Sequence, residues 1–98
     1  MRVIAKSTLR AFWEERPDAE QPLRTWHAMA CKADWKTPAD VKADYRNASI
    51  IANNRVVFNI KGNDYRLITA INYDFGTIWI KFIGTHAEYD RIDAATVG

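Results

Sequence analysis

The chain has 98 residues, 48% hydrophobic and 12% aromatic, with no low-complexity run; such a composition belongs to an ordinary globular protein and argues against disorder. That length suits one compact domain and is too short for two, so a single domain over residues 1–98 is expected, with any site sharing its one core. Net charge is only +2, from 14 basic and 12 acidic residues, so bulk charge is a weak pointer to nucleic acid and the distribution of cations has to decide.

No apolar run approaches the roughly 20 residues of a membrane span, and the amino terminus lacks the long apolar segment of a secretory signal. A cytoplasmic protein without membrane contact is expected. The single cysteine, Cys31, has no intrachain partner and implies no oxidising compartment. With one Cys and two distant His residues, a structural zinc site is disfavoured, and neither metal nor cofactor is expected.

Val3 and Ile4 suit a short opening strand, after which Ser7 and Thr8 supply a helix N-cap. Leu9, Phe12 and Trp13 then recur at helical spacing, and Pro17 ends this helix near Arg16. Asp18 with Gln21 has capping-box spacing, and Leu23, Trp26 and Ala30 carry a second helix to about Ala33, with Pro22 tolerated in its first turn. Thr37-Pro38 signals a third, short helix to about Ala43. His27 and Cys31 read as structural members of the second helix, and Trp13, Trp26 and Trp35 as core packing.

From Ser49 the period changes to alternation. Ile50-Ile51, Val56-Val57-Phe58, Leu67-Ile68-Thr69 and Ile78-Trp79-Ile80 read as strands, separated by turns at Asn53-Asn54, Lys61–Asp64 and Asp74-Phe75-Gly76. If Asn59 pairs with Arg66, then Phe58, Ile60, Tyr65, Leu67 and Ile71 share an apolar face, joined by Ile78, Ile80 and Phe82. The opposite face then carries Arg55, Asn59, Lys61, Arg66, Asn72, Trp79, Lys81 and Thr85, with Val57, Ile68, Ala70 and Ile83 beneath. Four cations and no carboxylate on an uncovered sheet would gather a polyanion. A half-exposed sheet showing cations to water gives the same pattern. Trp79 is the tryptophan placed to stack on a nucleobase.

Thr85 and Glu88 have S/T-x-x-E spacing, so a helix is expected to begin at His86 directly after the last strand. His86, Tyr89 and Asp90, at i, i+3 and i+4, then lie on one helical face near the Arg66 row. Cutting RNA without a metal takes a base for the 2'-hydroxyl proton, a cation for the phosphorane and an acid for the departing 5'-oxygen. Arg66 with His86, Tyr89 and Asp90 offers those groups, while a His–Asp surface pair with a packed Tyr ring offers the same spacing and no chemistry.

The run Val-Phe-Asn-Ile-Lys-Gly-Asn-Asp-Tyr-Arg-Leu (Val57–Leu67), followed by Phe-Ile-Gly-Thr-His-Ala-Glu-Tyr-Asp (Phe82–Asp90), resembles the HigB-type toxins of bacterial toxin–antitoxin modules, a branch of the RelE superfamily. The likeness is close over Val56–Asp93 and looser elsewhere, including Trp35–Asp40. It implies a RelE-like α+β fold, amino-terminal helices on a mostly antiparallel twisted sheet with a short carboxy-terminal helix. It also implies an mRNA endonuclease that works on translated messages at the ribosome and is silenced by a HigA-type antitoxin, a helix-turn-helix protein. Arg66 matches the arginine implied to contact the scissile phosphate, His86 an acid or base, and Tyr89 and Asp90 the pair that follows. Lys61 falls where relatives often carry a basic residue. Asn59, Arg55, Trp79 and Lys81 are expected RNA contacts on the strength of the face they share. A non-catalytic RNA- or ribosome-binding module and a protein-interaction domain are the alternatives.

Overall fold

Leu9 and Trp13 of the first helix and Leu23, Trp26 and Ala30 of the second are all buried in one hydrophobic cluster, as their spacing predicts. The computed structural model describes residues 1–98. Its elements are β1 (Arg2–Ile4), α1 (Lys6–Glu15), a 3-10 turn (Pro17–Ala19), α2 (Glu20–Lys32), α3 (Pro38–Asp44), β2 (Ser49–Ile51), β3 (Arg55–Ile60), β4 (Tyr65–Asn72), β5 (Thr77–Thr85) and α4 (His86–Tyr89). The strands form one sheet in the order β1-β5-β4-β3-β2, antiparallel except for β1, which runs parallel to β5. Sequential hairpins account for β2 to β5; a parallel β1 becomes possible because the helices intervene in the chain. This is the expected α+β architecture. No helix is long and apolar enough to cross a membrane.

Phe58 stands at the centre of the aromatic packing. Its ring lies 5.3 Å from Trp26, 5.2 Å from Tyr45 and 6.1 Å from Trp35, the first two edge-on and the third stacked. Val56, Ile60, Leu67, Ile71 and Ile78 extend the same cluster across the sheet.

Two helix starts differ from the sequence expectation. α1 begins at Lys6 after an extended Ala5 with no side-chain cap, so Ser7 and Thr8 lie inside its first turn. The Asp18–Gln21 box does not form, because Asp18 sits in the 3-10 turn and Ala19 precedes α2 without a side-chain cap. Thr37 does cap α3, and Asp40 completes a reciprocal box with it.

Asn59 pairs opposite Arg66 as expected. The β4–β5 register, however, shifts between Ile68 and Thr69: Ile68 faces Phe82 and Thr69 faces Ile80, leaving Lys81 as the extra residue of a bulge. Ile80 and Ile83 pack against the core, while Phe82 and Gly84 take the outer face. That reverses the expected places of Phe82, Ile83 and Thr85. The outer face is also less open than expected. Asn53 Nδ2 donates to the Ala95 carbonyl at 2.8 Å, the Arg55 guanidinium donates to the carbonyls of Ala94 and Val97, and Gly98 lies against the Lys81 backbone. Residues 94–98 therefore cover part of it.

Truncating Phe58 leaves a cavity among three aromatic rings. Phe58→Ala is expected to cost about 3–5 kcal/mol, read as a lower midpoint in urea denaturation followed by far-UV circular dichroism.

Candidate active site

β5 ends where the site begins. Thr85 is extended and serves as the N-cap of α4: its hydroxyl accepts from the Glu88 N–H at 3.1 Å, and the Glu88 carboxylate accepts from the Thr85 N–H at 2.8 Å. That last bond is the leading reason the Glu88 carboxyl is held below its usual range. The His86 N–H donates to the Asp64 carbonyl at 3.1 Å, which ties α4 to the β3–β4 turn.

On this helix His86 Nδ1 lies 3.1 Å from Asp90 Oδ2, and the pair is half exposed. The His86 and Tyr89 rings are 6.5 Å apart, and Arg66 Cζ lies 5.9 Å from the centre of the Tyr89 ring. Tyr89 thus has both the guanidinium and the imidazole as neighbours. Arg66 Nη1 donates to the carbonyls of Asn63 at 3.1 Å and Tyr65 at 3.3 Å, and Arg66 pairs with neither Asp64, which is held by Lys61, nor Asp90, which is held by His86. A guanidinium has five N–H donors, and those on Nε and Nη2 have no protein acceptor. The cluster thereby offers a hydrogen-bond donor face, a phenol and an oriented imidazole within one turn of helix.

The remaining sequence candidates separate into two groups. Asn59 is half buried beside Arg66, Trp79 is half buried on the outer face opposite Ala70, and Lys81 is half buried at the bulge. Arg55 and Lys61 are not where alternation puts them to use. Arg55 is only 8% exposed, with its guanidinium turned to the carbonyls of residues 94 and 97. Lys61 follows the last residue of β3 and has φ +53°, so strand alternation no longer governs it. Its ammonium lies between Asp18 Oδ2 at 3.1 Å and Asp64 Oδ2 at 3.2 Å. Both cations are already paired within the protein.

Asp18, read as a helix cap, instead bridges the helical hairpin to the sheet. Its Oδ1 accepts from the Tyr65 hydroxyl at 2.6 Å while Oδ2 meets Lys61. The Tyr65 bond, followed by the Lys61 bond, holds the Asp18 carboxyl below its usual range. Asp18 and then Asp64 raise the Lys61 ammonium, and Asp18 and then burial raise the Tyr65 phenol. No local spacing announces this network, since its members are far apart in the chain. His27 lies on α2 with its ring 3.7 Å from the Cys31 sulfur, and its pKa is lowered by burial and then by Lys6. It makes no contact with the α4 cluster, and Cys31 is exposed.

Gly84 completes the site. A Cβ there would lie 2.5 Å from Phe82 Cζ and 3.0 Å from Glu88 Oε1. The Phe82 ring therefore occupies the place of a side chain at position 84, next to the carboxylate that caps α4.

Helices packed on a five-stranded, mostly antiparallel sheet, with a four-residue helix beside an Arg–Tyr–His–Asp cluster, define a RelE-like α+β protein. Residues 19–92 match the HigB toxin family, the RelE-like toxic component of a toxin–antitoxin system, and the chain belongs to that family. Such a component has an antitoxin as its counterpart. The chain is 26% identical over 94 residues to the mRNA interferase HigB of Escherichia coli O6:H1 strain CFT073, covering 94% of this chain and 91% of that protein. It is 25% identical over 96 residues to the mRNA interferase toxin HigB of Escherichia coli strain K12, covering 96% and 92%. The mRNA interferase HigB of Shigella flexneri matches at the same identity and coverage.

Two outcomes follow from this geometry. Gly84→Ala is expected to destabilise the fold by about 1–3 kcal/mol, because the Phe82 ring and the capping carboxylate must both shift; thermal melts measure it. For the Asp18 network, the carboxylate's contribution is complete above the ordinary carboxylate pKa and is lost as pH falls through its lowered value. The contributions of Lys61 and Tyr65 are complete below their ordinary values and are lost as pH rises through their raised ones. The network is intact across neutral pH. In carbon-13 NMR of labelled tyrosine, Tyr65 should ionise above the ordinary value of about 10, and Asp18→Asn should bring it back down.

Proposed function

We propose that the chain is a metal-independent endoribonuclease toxin cutting mRNA, one toxin domain over residues 1–98. It acts in the cytoplasm on messages under translation at the ribosome and is held inactive by a HigA-type helix-turn-helix antitoxin. The activity of its relatives as mRNA interferases supports the reaction class. The observation that carries it is the Tyr89 ring as a shared neighbour of Arg66 and His86, with Asp90 against Nδ1 of the imidazole.

In the reaction, the 2'-oxygen attacks the adjacent phosphorus. The P–O2' bond forms as the P–O5' bond breaks, the 2'-hydroxyl proton passes to a base, and the 5'-oxygen takes a proton from an acid. A 2',3'-cyclic phosphate and a 5'-hydroxyl result. Asp90 on Nδ1 favours the tautomer that leaves His86 Nε2 free to accept the 2'-hydroxyl proton. Asp90 is then a positioning residue. Tyr89, beside Arg66, gives the proton to the 5'-oxygen. The unpaired N–H groups of Arg66 hold the phosphorane oxygens. Asn59, Trp79 and Lys81 flank the RNA strand on the outer face. Arg55 and Lys61 stand outside this path because the fold uses their charges.

His86→Ala is expected to lower mRNA cleavage by roughly 10²–10⁴-fold and Arg66→Ala by roughly 10²–10³-fold, and both should abolish growth arrest on expression. Cleavage at the native rate by both variants sinks the catalytic reading. Normal cleavage by His86→Ala with only weaker RNA binding by Arg66→Ala indicates a binding module, and no affinity for ribosomes or mRNA indicates a protein-interaction domain.

A further inference from the structure

Arg66 and His86 belong to different elements, yet both are fastened to the same turn. In the segment Lys61–Asp64 between β3 and β4, the Asn63 carbonyl accepts from Arg66 Nη1 at 3.1 Å, and the Asp64 carbonyl accepts from the His86 N–H at 3.1 Å. Adjacent carbonyls of one turn therefore fix where the guanidinium stands and where α4 begins. A movement of this turn changes the placement of His86 relative to Arg66.

Conformational preference does not hold the turn in this shape. Lys61 has φ +53° and Gly62 φ +64°; glycine enters this left-handed region freely, whereas lysine does so at a cost. The restraint comes from Asp18, whose backbone is seated firmly between Pro17, with its fixed φ, and the fully buried Ala19. Asp18 Oδ2 lies 3.1 Å from Lys61 Nζ, which also meets Asp64 Oδ2 at 3.2 Å. Asp18 Oδ1 accepts from the Tyr65 hydroxyl at 2.6 Å. The Tyr65 ring is itself placed edge-on against Phe12 at 5.2 Å, and Tyr65 stands opposite Thr85, the N-cap of α4. One carboxylate thus reaches Lys61 at the start of the turn and Tyr65 just past its end.

Asp18 bonds to neither Arg66 nor α4, so whatever it does for them passes through the turn. As an anion it is unsuited to hold a phosphate itself. We propose that Asp18 is a positioning residue of the site: by clamping both ends of the Lys61–Asp64 turn, it sets the placement of His86 relative to Arg66. The inference rests on the reading of Arg66 and His86 as reacting groups and adds to it a residue of the helical hairpin that acts through the backbone of another.

The test uses the full chain carrying Asp18→Ala or Asp18→Asn. The amide keeps one oxygen for Tyr65 and loses the charge facing Lys61, so its effects should lie between those of the native protein and Asp18→Ala. By NMR, exchange of the His86 amide proton is expected to be about fivefold to tenfold faster in Asp18→Ala, while amides in the middle of β4 keep their rates. In a translation extract, the maximal rate of mRNA cleavage should fall about tenfold to a hundredfold. The half-saturating concentration of the toxin should stay within about twofold of native, the mark of misplaced groups and not of lost binding. Native exchange at His86 or a native maximal rate in both variants overturns the inference; should Asp18→Ala fail to fold, Asp18→Asn decides by the same two readings. An equal loss of rate in Phe58→Ala, at a temperature where both variants are folded, makes the effect one of general stability and overturns it too. Native cleavage by His86→Ala and Arg66→Ala would remove the catalytic assignment, while His86 exchange would still report whether Asp18 places α4, so the two failures are distinguishable.

Discussion

Because side chains alternate along a strand, one residue inserted at Lys81 reverses the face of everything that follows it in β5. Ile78 and Ile80 point to the core, and unbroken alternation would send Phe82 and Gly84 there too. The bulge instead gives the core Ile83 and places Gly84 opposite Arg66 on the outer face. It also brings Thr85 opposite Tyr65, and Thr85 is where the strand stops and α4 starts. The position of α4 beside Arg66 therefore depends on a single unpaired residue five positions before its first residue, His86. Gly84 is required by the same arrangement, since the Phe82 ring brought outward by the bulge fills the space of a side chain there.

A four-residue helix does not hold itself together, because nucleation costs more than so few hydrogen bonds return. α4 takes its geometry from its surroundings. The Thr85–Glu88 box fixes its first turn, and the Asp64 carbonyl receives the His86 N–H. Asp64 is itself held by Lys61, and Lys61 by Asp18, which also accepts from Tyr65. A chain of contacts thus runs from the 3-10 turn after Pro17 to the backbone of His86. Lys61 belongs to this scaffold and serves the site through position.

Much of this was legible in the sequence wherever a signal is local. Helical spacing marked Leu23, Trp26 and Ala30, the Thr37-Pro38 pair marked α3, and the Thr85–Glu88 spacing placed the start of α4 at His86. The Gly62 turn set Asn59 opposite Arg66, since a hairpin of known turn length has only one register. What was not legible depends on contacts between distant segments. A bulge adds one residue without altering composition, so Phe82 and Ile83 changed places. Arg55 is engaged by carbonyls of residues 94 and 97, a stretch with no periodicity to reveal its path. Asp18 had a plausible local role as a cap, and a partner 47 residues away displaced it.

The distribution of cations bears on how RNA is recognised. Of the four expected on the sheet face, Arg55 and Lys61 are engaged within the protein and only Arg66 combines free donors with a place beside His86 and Tyr89. Elsewhere Lys42 is held by backbone carbonyls, and Arg24 by Glu20 and the Trp13 ring. With a net charge of +2, long-range attraction to a polyanion is small, and each phosphate neutralised on a single strand adds only about 0.7 to the salt slope. Affinity then has to come from short-range contacts, which depend on shape. On the proposed reading, the Arg66–Tyr89–His86 cluster supplies them for the phosphate and sugar. A weakly charged enzyme of this kind gains its effective substrate concentration from whatever presents the strand to it, which fits action on messages already threaded through a ribosome.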